Sequence, residues 1–563
     1  MPVSLRLARA HLPFLDWPRL TAAQARQEIL AGFTVALLVV PQSIAYATLA
    51  GMPAITGIYA ALIPAFIALL FCRSQRLGVG PTALTSMLIA ASLAPLAQPG
   101  SANWVNLALW LALLSGLMQL AMGVLRAGWL MNLIASPVMM AFTQASALLI
   151  VWSQVRPLVG WTPPPNGQPF WTGAHWQACA MGLASLVLMV VLRRLAPRLP
   201  AILAAVVLAG LASWALGFEQ LGGEVVGPVP SGFPALALPH WPGWTELGTL
   251  IVPAAVIALV SLLETASSAR VDNQDKGLPW DQDQDMIGQG LSKIAAAFSG
   301  SFATSTSFSR SALNLAAGAQ TAWANAVCIA GVALTLLLLT PLLAPVPQAT
   351  LAAIVVITVV NLLKPSQWRA LWRISRTEAL TAAVTFVVTL ITAPRIYWGV
   401  VAGIVLTLTH LLYWRLHPRI IEVGMHPDGS LRDRHLWHLP PLAPHVLALR
   451  MDAPLDFSTA PAFEKGALDA LRRAPHTRHF FLFAQPINRV DASGVEAFAR
   501  VLADLRRQGI TLHLVGLKLP AQRLQQADPT GRELVQYRTE AEALHAISRL
   551  PGDHEPPAWG DHI

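Results

Sequence analysis

Long uncharged apolar stretches dominate the first three quarters of the chain. Residues 32–72, 77–125, 127–155, 157–192 and 311–363 contain no Asp, Glu, Lys or Arg. A helix needs only about 20 apolar residues to cross a bilayer, so several of these stretches must hold two spans each. Hydropathy, Gly/Pro breakers and charged punctuation predict fourteen segments, near 30–50, 53–71, 80–96, 105–124, 130–151, 177–194, 200–217, 247–268, 286–298, 303–318, 322–341, 348–363, 377–393 and 396–415. After Trp414 the pattern changes, because Arg415, Arg419, Glu422, Asp428, Arg432, Asp433 and Arg434 follow closely. Beyond them, strands at 446–450, 479–483 and 511–515 alternate with helices at 461–473, 493–508, 521–526 and 540–548, which predicts a small α/β domain. The expected organisation is a cytoplasmic N-terminal segment (1–28), an all-α polytopic membrane domain (29–416), a linker (417–440), an α/β domain (441–550) and a disordered tail (551–563).

Of the 563 residues, 55% are apolar and 12% charged, against about 25% charged in soluble proteins. A water-soluble fold is excluded for most of the chain. The net charge of +9 does not point to nucleic acid, because the basic residues form short clusters between apolar runs. Arg73/Arg76, Arg126, Arg193/Arg194/Arg198 and Arg369/Arg373/Arg376 all fall on one side of an even-numbered topology, the side of the N-terminus. The intervening loops are nearly free of Lys and Arg. That bias places both termini in the cytoplasm and the chain in an inner (cytoplasmic) membrane. The segment before the first span has Arg and amphipathic character but no cleavable signal pattern. Cys72, Cys179 and Cys328 lack metal-ligand or disulfide spacing and read as small packing residues.

Within the apolar core, Glu264, Lys293 and Arg310 are the ionisable side chains at bilayer depth. Such groups are functional candidates unless they snorkel to an interface, which Glu264 could do at a helix end. Residues 77–86 and 300–310 have the Gly, Pro and hydroxyl composition of interrupted helices. Irregular backbone at membrane depth is tolerated only where it is packed by protein or lines a cavity, and paired interruptions point to a transporter site. Two helix N-termini facing one point would attract an anion. Pro41 bends the first span, and Gln42 and Tyr46, four apart, share a face.

The runs Val40-Pro41-Gln42-Ser43-Ile44-Ala45-Tyr46-Ala47, Gly51-Met52-Pro53, Val79-Gly80-Pro81-Thr82-Ala83, Ile287-Gly288-Gln289-Gly290-Leu291 and Ser307-Phe308-Ser309-Arg310-Ser311-Ala312-Leu313-Asn314 resemble the sulfate permease family across the membrane domain. The resemblance implies a 7+7 inverted repeat split into core and gate subdomains, elevator-like movement, a homodimer, and an anion held between segments three and ten beside the first span. Carried over by position, it implies substrate contacts from Gln42, Tyr46, Thr82, Ala83, Leu84, Phe308, Ser309 and Arg310, and ion coupling through Glu264 with Ser268. A lone buried carboxylate favours H⁺ over Na⁺ as the coupling ion. Two departures stand out: Asp281-Gln282-Asp283-Gln284-Asp285 precedes segment nine in place of the usual Asn-Gln-Glu-Leu, and Lys293 stands where Asn is common. They put cytoplasmic gating in question more than the anion site.

The C-terminal domain resembles the STAS domain through Asn488-Arg489-Val490-Asp491-Ala492-Ser493-Gly494-Val495. Asp491 and Ser493 read as helix caps, with Ser493 the position that the resemblance associates with phosphorylation and a cytoplasmic protein partner. His435, His438 and His445 read as solvated, His410 as packing. No nucleophile, P-loop or zinc motif is present, so the chain reads as a non-enzyme without cofactor. The leading expectation is a secondary carrier of a small anion of the sulfate, bicarbonate or dicarboxylate class, by proton symport. An anion-responsive membrane regulator and a nucleobase permease are the alternatives.

Overall fold

The computed structural model describes residues 12–129, 135–161, 176–196, 200–236, 238–276, 280–393, 395–518, 522–525 and 534–550. Residues 1–11 of the expected N-terminal segment and the expected tail at 551–563 lie outside them. The chain divides into two compact units, Met1–Thr407 and Leu408–Ile563, and among the described residues nine helices are long and apolar enough to cross a membrane.

Each of the fourteen predicted segments contains helix among its described residues, although the one expected at 303–318 becomes helical only from Phe308, after a two-residue strand. The first repeat comprises α1 (Ala22–Leu49), the pair α2 (Ala54–Ala60) and α3 (Ile63–Phe71), then α4 (Ala83–Leu93), α5 (Ala102–Val124), α6 (Ser136–Leu158), α7 (Trp176–Leu195) and α8 (Ala201–Leu216). The second comprises α9 (Trp244–Lys276), α10 (Gln282–Phe298), α11 (Phe308–Ala316), α12 (Trp323–Leu334), α13 (Gln348–Val359), α14 (Pro365–Ile374), α15 (Arg376–Ile391) and α16 (Tyr397–Leu416). Two-residue strands, β1 (Val79–Gly80) and β2 (Ser305–Thr306), precede α4 and α11.

Local chemistry explains where these helices begin. Thr21 and Gln24 form a reciprocal capping box at the start of α1, and Ser101, Asp281 and Ser375 accept N–H bonds at the starts of α5, α10 and α15. Helix contacts rely on glycine where backbones nearly touch. A Cβ on Gly290 of α10 would lie 2.6 Å from Leu120 N and 2.8 Å from Gly116 O of α5, so only small residues allow this crossing. The helix α14 was not anticipated. It is short and amphipathic, with Trp368 donating to Gln144 Oε1 at 3.1 Å and Arg369 and Arg373 exposed.

The second unit contains a six-stranded sheet of order β4-β3-β5-β6-β7-β8, with β3 at Ile420–Met425, β4 at Leu431–Asp433, β5 at Val446–Met451, β6 at His479–Phe483, β7 at Thr511–Val515 and β8 at Leu534–Tyr537. Strands β5 to β8 are parallel, and β3 is antiparallel to both of its neighbours. Side chains alternate across the sheet. Phe480 and Leu482 pack with Phe463 of α17 (Ala460–Arg473) and Phe498 of α18 (Ala492–Arg507). Phe481 and Phe483 face the opposite way, with Ala543 and Ile547 of α19 (Glu540–Ile547).

The expected linker at 417–440 is corrected: it contains β3 and β4, an integral edge of this sheet. Its charges are paired as edge-strand residues, Arg419 with Asp433 at 2.8 Å, and Glu422 with both Arg434 and His435. The expected helix at 521–526 is a single 3₁₀ turn at 522–525, its flanks lying outside the described residues.

Candidate functional site

The two interrupted segments meet each other. Val79 pairs with Thr306 and Gly80 with Ser305 in an antiparallel ladder, so α4 and α11 leave the crossing in opposed directions with their N-termini nearest it. Each start is capped by a hydroxyl: Thr82 Oγ1 accepts from Thr85 N at 3.3 Å and Ser307 Oγ from Arg310 N at 3.4 Å. The first-turn N–H groups of Ala83 and Leu84, and of Phe308 and Ser309, have no partner within their own helices, as at any helix start. The side chains of Phe308 and Ser309 lie outside the described residues.

The loop feeding β1 is clamped from the second repeat. Asn325 Nδ2 donates to Gln75 O and Leu77 O, Asn314 Nδ2 to Arg76 O, and Gly78 N to Ser311 Oγ. Arg310 is 5% exposed. Its guanidinium donates to Val79 O at 3.1 Å and Pro81 O at 2.9 Å, which fixes a cation at the crossing. Gly78 and Gly80 make room for it, since a Cβ on Gly80 would lie 2.2 Å from Arg310 Nη1.

Glu264 stands in the interior of α9, which continues to Lys276 and so does not place this residue at a helix end. Thr82 Oγ1 donates to its Oε2 at 3.3 Å, joining the carboxylate to the cap of α4. Ser268 Oγ donates to Glu264 O at 3.0 Å, so its hydroxyl serves the backbone and not the carboxylate. Gln42 Nε2 donates to Tyr46 Oη at 2.9 Å on the buried face of α1, and Tyr46 and Ala83 share one apolar cluster. Thus Thr82 and Glu264 are in direct contact and Gln42 and Tyr46 form a pair of their own.

Sequence reasoning missed the polar network behind this crossing. Thr306 Oγ1 bonds Thr265 Oγ1 at 2.9 Å and accepts from Gln289 Nε2 at 2.8 Å. Lys293, fully buried, donates to Gln119 Oε1 and Ser261 Oγ, both at 2.7 Å. The available signal was the polar residues Gln119, Ser261 and Gln289 in otherwise apolar helices. Asp285, from the departing run, is also fully buried. It accepts from Arg73 N, Ser74 N, Ser74 Oγ and Trp280 Nε1 at 2.5–2.9 Å, fastening α10 to the end of α3. Among the described residues no His/Cys/Asp/Glu group suits a metal ion.

In the second unit, Asp491 caps α18, its carboxylate accepting from Gly494 N and Phe457 N at 2.9 Å each. The expected capping by Ser493 is corrected: Asp491 is the N-cap, and Ser493 lies half-buried inside the first turn. His435 is exposed and paired with Glu422, and His410 Nε2 accepts from Trp414 Nε1.

Residues 26–385 match the Sulfate permease family and residues 441–541 the STAS domain. A probable sulfate transporter of Mycobacterium tuberculosis is 31% identical over 505 residues, covering 88% of this chain and 89% of that protein. The sodium-independent sulfate anion transporter of Bos taurus is 27% identical over 584 residues, covering 96% and 92%. Among solved structures, the murine Solute Carrier 26 family member A9 anion transporter in the inward-facing state superposes with TM-score 0.85 at 18% identity, covering 97% of this chain and 95% of that one. The transmembrane domain of a cyanobacterial bicarbonate transporter gives 0.58 at 20% identity over 69% of this chain.

Proposed function

This chain belongs to the sulfate permease family, and from that premise we propose that it is a proton-coupled secondary carrier of a small anion of the sulfate, bicarbonate or dicarboxylate class. The observation that carries the reading is the fixed guanidinium of Arg310, held by two backbone carbonyls between two helix N-termini. An anion at this point meets the N–H groups of Ala83, Leu84, Phe308 and Ser309 and one permanent positive charge. Gln42 and Tyr46 on α1 form the facing wall.

Coupling runs through Thr82. Its single hydroxyl proton can go to Glu264 Oε2 or to Thr85 Oγ1, which lies 3.1 Å away. An ionised Glu264 takes it; a protonated Glu264 donates in its turn, releasing the Thr82 proton toward Thr85 and changing the cap next to the anion. Loading then consists of one anion at the crossing and one proton on Glu264, and the Thr82–Glu264 bond makes each event sensitive to the other. The crossing moves between membrane faces in an elevator-like step of the core against the gate. We place the protein as a homodimer in the inner membrane with cytoplasmic termini, and the STAS domain as a cytoplasmic docking module for a protein partner, with Ser493 available for phosphorylation.

The test is uptake of labelled sulfate, bicarbonate and fumarate into proteoliposomes with and without an inward proton gradient, for wild type and Glu264→Gln. The reading expects uptake of one of these anions to be accelerated by the gradient in wild type and to be insensitive to it in the variant. Uptake by Glu264→Gln that keeps the wild-type response to the gradient would remove Glu264 from coupling.

A further inference from the structure

The ammonium of Lys293 is not used by the mechanism above, yet it is among the largest fully buried side chains of the molecule. Both of its described hydrogen bonds go to neutral oxygens, Gln119 Oε1 on α5 and Ser261 Oγ on α9. A cation removed from water is retained only where negative charge compensates it nearby.

Among the described residues, the neighbouring elements leave one candidate for that compensation. From α5 comes Gln119, which is uncharged. Cys72, at the end of α3, is a buried thiol that feels both Lys293 and Asp285, but Asp285 itself is not among the groups that act on Lys293. Arg310 of α11 and Tyr46 of α1 are electrostatic neighbours of each other, and Arg310 is occupied with Val79 and Pro81. On α9, Glu264 follows Ser261 by three residues, one turn along the same face, and Lys293 and Glu264 act on each other electrostatically.

We propose that Lys293 is the standing counter-charge of Glu264, a positioning residue tethered through Ser261 to the turn that carries the carboxylate, and that it sets the pH at which the carrier loads its proton. The inference rests on the carrier reading and deepens it. With Lys293 charged, the ionised form of Glu264 is favoured, and Arg310 remains as the net positive charge available to the anion. Without the Lys293 charge, Glu264 would take its proton at higher pH, because removing a neighbouring opposite charge favours the neutral carboxyl.

The experiment uses full-length protein in proteoliposomes and follows labelled sulfate uptake against pH for wild type, Lys293→Gln, Lys293→Arg, Glu264→Gln and the Lys293→Gln/Glu264→Gln double variant. Lys293→Gln keeps a donor for the two oxygens while removing the charge. Its profile should move upward by about one pH unit, tenfold in proton concentration, whereas Lys293→Arg keeps the wild-type profile and the double variant matches Glu264→Gln alone. An unshifted Lys293→Gln profile, or an equal shift in the Glu264→Gln background, overturns the proposal. Infrared titration of the protonated-carboxyl band in purified protein, assigned by its loss in Glu264→Gln, reads the same shift without transport; Lys293→Met supplies the charge-free form if Lys293→Gln does not assemble. Failure of wild type to take up sulfate in any gradient would count against the carrier reading for that anion, while the infrared shift would still decide the role of Lys293.

Discussion

Replacing Gly80 by Ala tests the crossing with a single methyl group. The new Cβ would sit 2.2 Å from Arg310 Nη1, against 3.4 Å for ordinary contact, so the guanidinium must retreat by at least the difference, about 1.2 Å. Retreat stretches the 3.1 Å bond from Nη1 to Val79 O beyond hydrogen-bonding range. A hydrogen bond from a charged donor contributes about 1.5–3 kcal/mol, and a cation displaced from its seat offers the anion a poorer site. If about 2 kcal/mol of that is felt in anion binding, the KM for sulfate rises roughly ten- to thirty-fold. The assay is concentration-dependent sulfate uptake in proteoliposomes, paired with thermal unfolding in detergent. Gly248→Ala is the control, because a Cβ there meets nothing within 4 Å; it should leave KM unchanged. A Gly80→Ala protein with the wild-type KM would refute the placement of the Arg310 head group in the anion site.

Other consequences follow from the packing. Asp285→Asn replaces a carboxylate that accepts four hydrogen bonds by a group with one accepting oxygen, and should cost about 3 kcal/mol, read as a lowered melting temperature. Gly290→Ala pushes a methyl against Leu120 N and Gly116 O; forced separation of α5 and α10 should cost about 1–3 kcal/mol in the same assay, and unchanged melting would contradict the close crossing. In the cytoplasmic unit, burial and then the neighbouring His479 lower the pKa of His513 to about 4, below the ordinary value of 6.5. The unfolded chain therefore binds the proton first, so the stabilisation from keeping His513 neutral is complete above about pH 6.5 and is lost as pH falls toward 4, by about 2 kcal/mol after allowance for solvent screening. Hydrogen exchange of β6 and β7 in the full chain should accelerate over that window in wild type and less in His513→Gln.

The membrane segments were legible because a bilayer imposes a length on uncharged sequence, and that signal is carried by many residues at once. The crossing was legible as composition: Gly78, Gly80, Pro81 and the hydroxyl run 304–307 announce irregular backbone at depth. What periodicity could not convey was pairing. Nothing local to Lys293 indicates that it reaches Gln119 and Ser261, residues 174 and 32 positions away, and nothing local to Asp285 indicates the loop at 73–74. The strands β3 and β4 were hidden for a related reason: charges such as Glu422 and Asp433, which suggest a solvated linker, are satisfied across the edge of a sheet that exists only once β5 is in place. Helix α14 escaped because its ten residues are too few and too basic for a span.

The most direct test of the anion site needs no transport at all. Equilibrium binding of labelled sulfate to the purified full-length protein should be saturable in wild type and weakened at least tenfold in Arg310→Met, with thermal unfolding showing that the variant is still folded. Equal sulfate affinity in a folded Arg310→Met protein would contradict the account, since the one fixed positive charge at the crossing would then play no part in holding the anion.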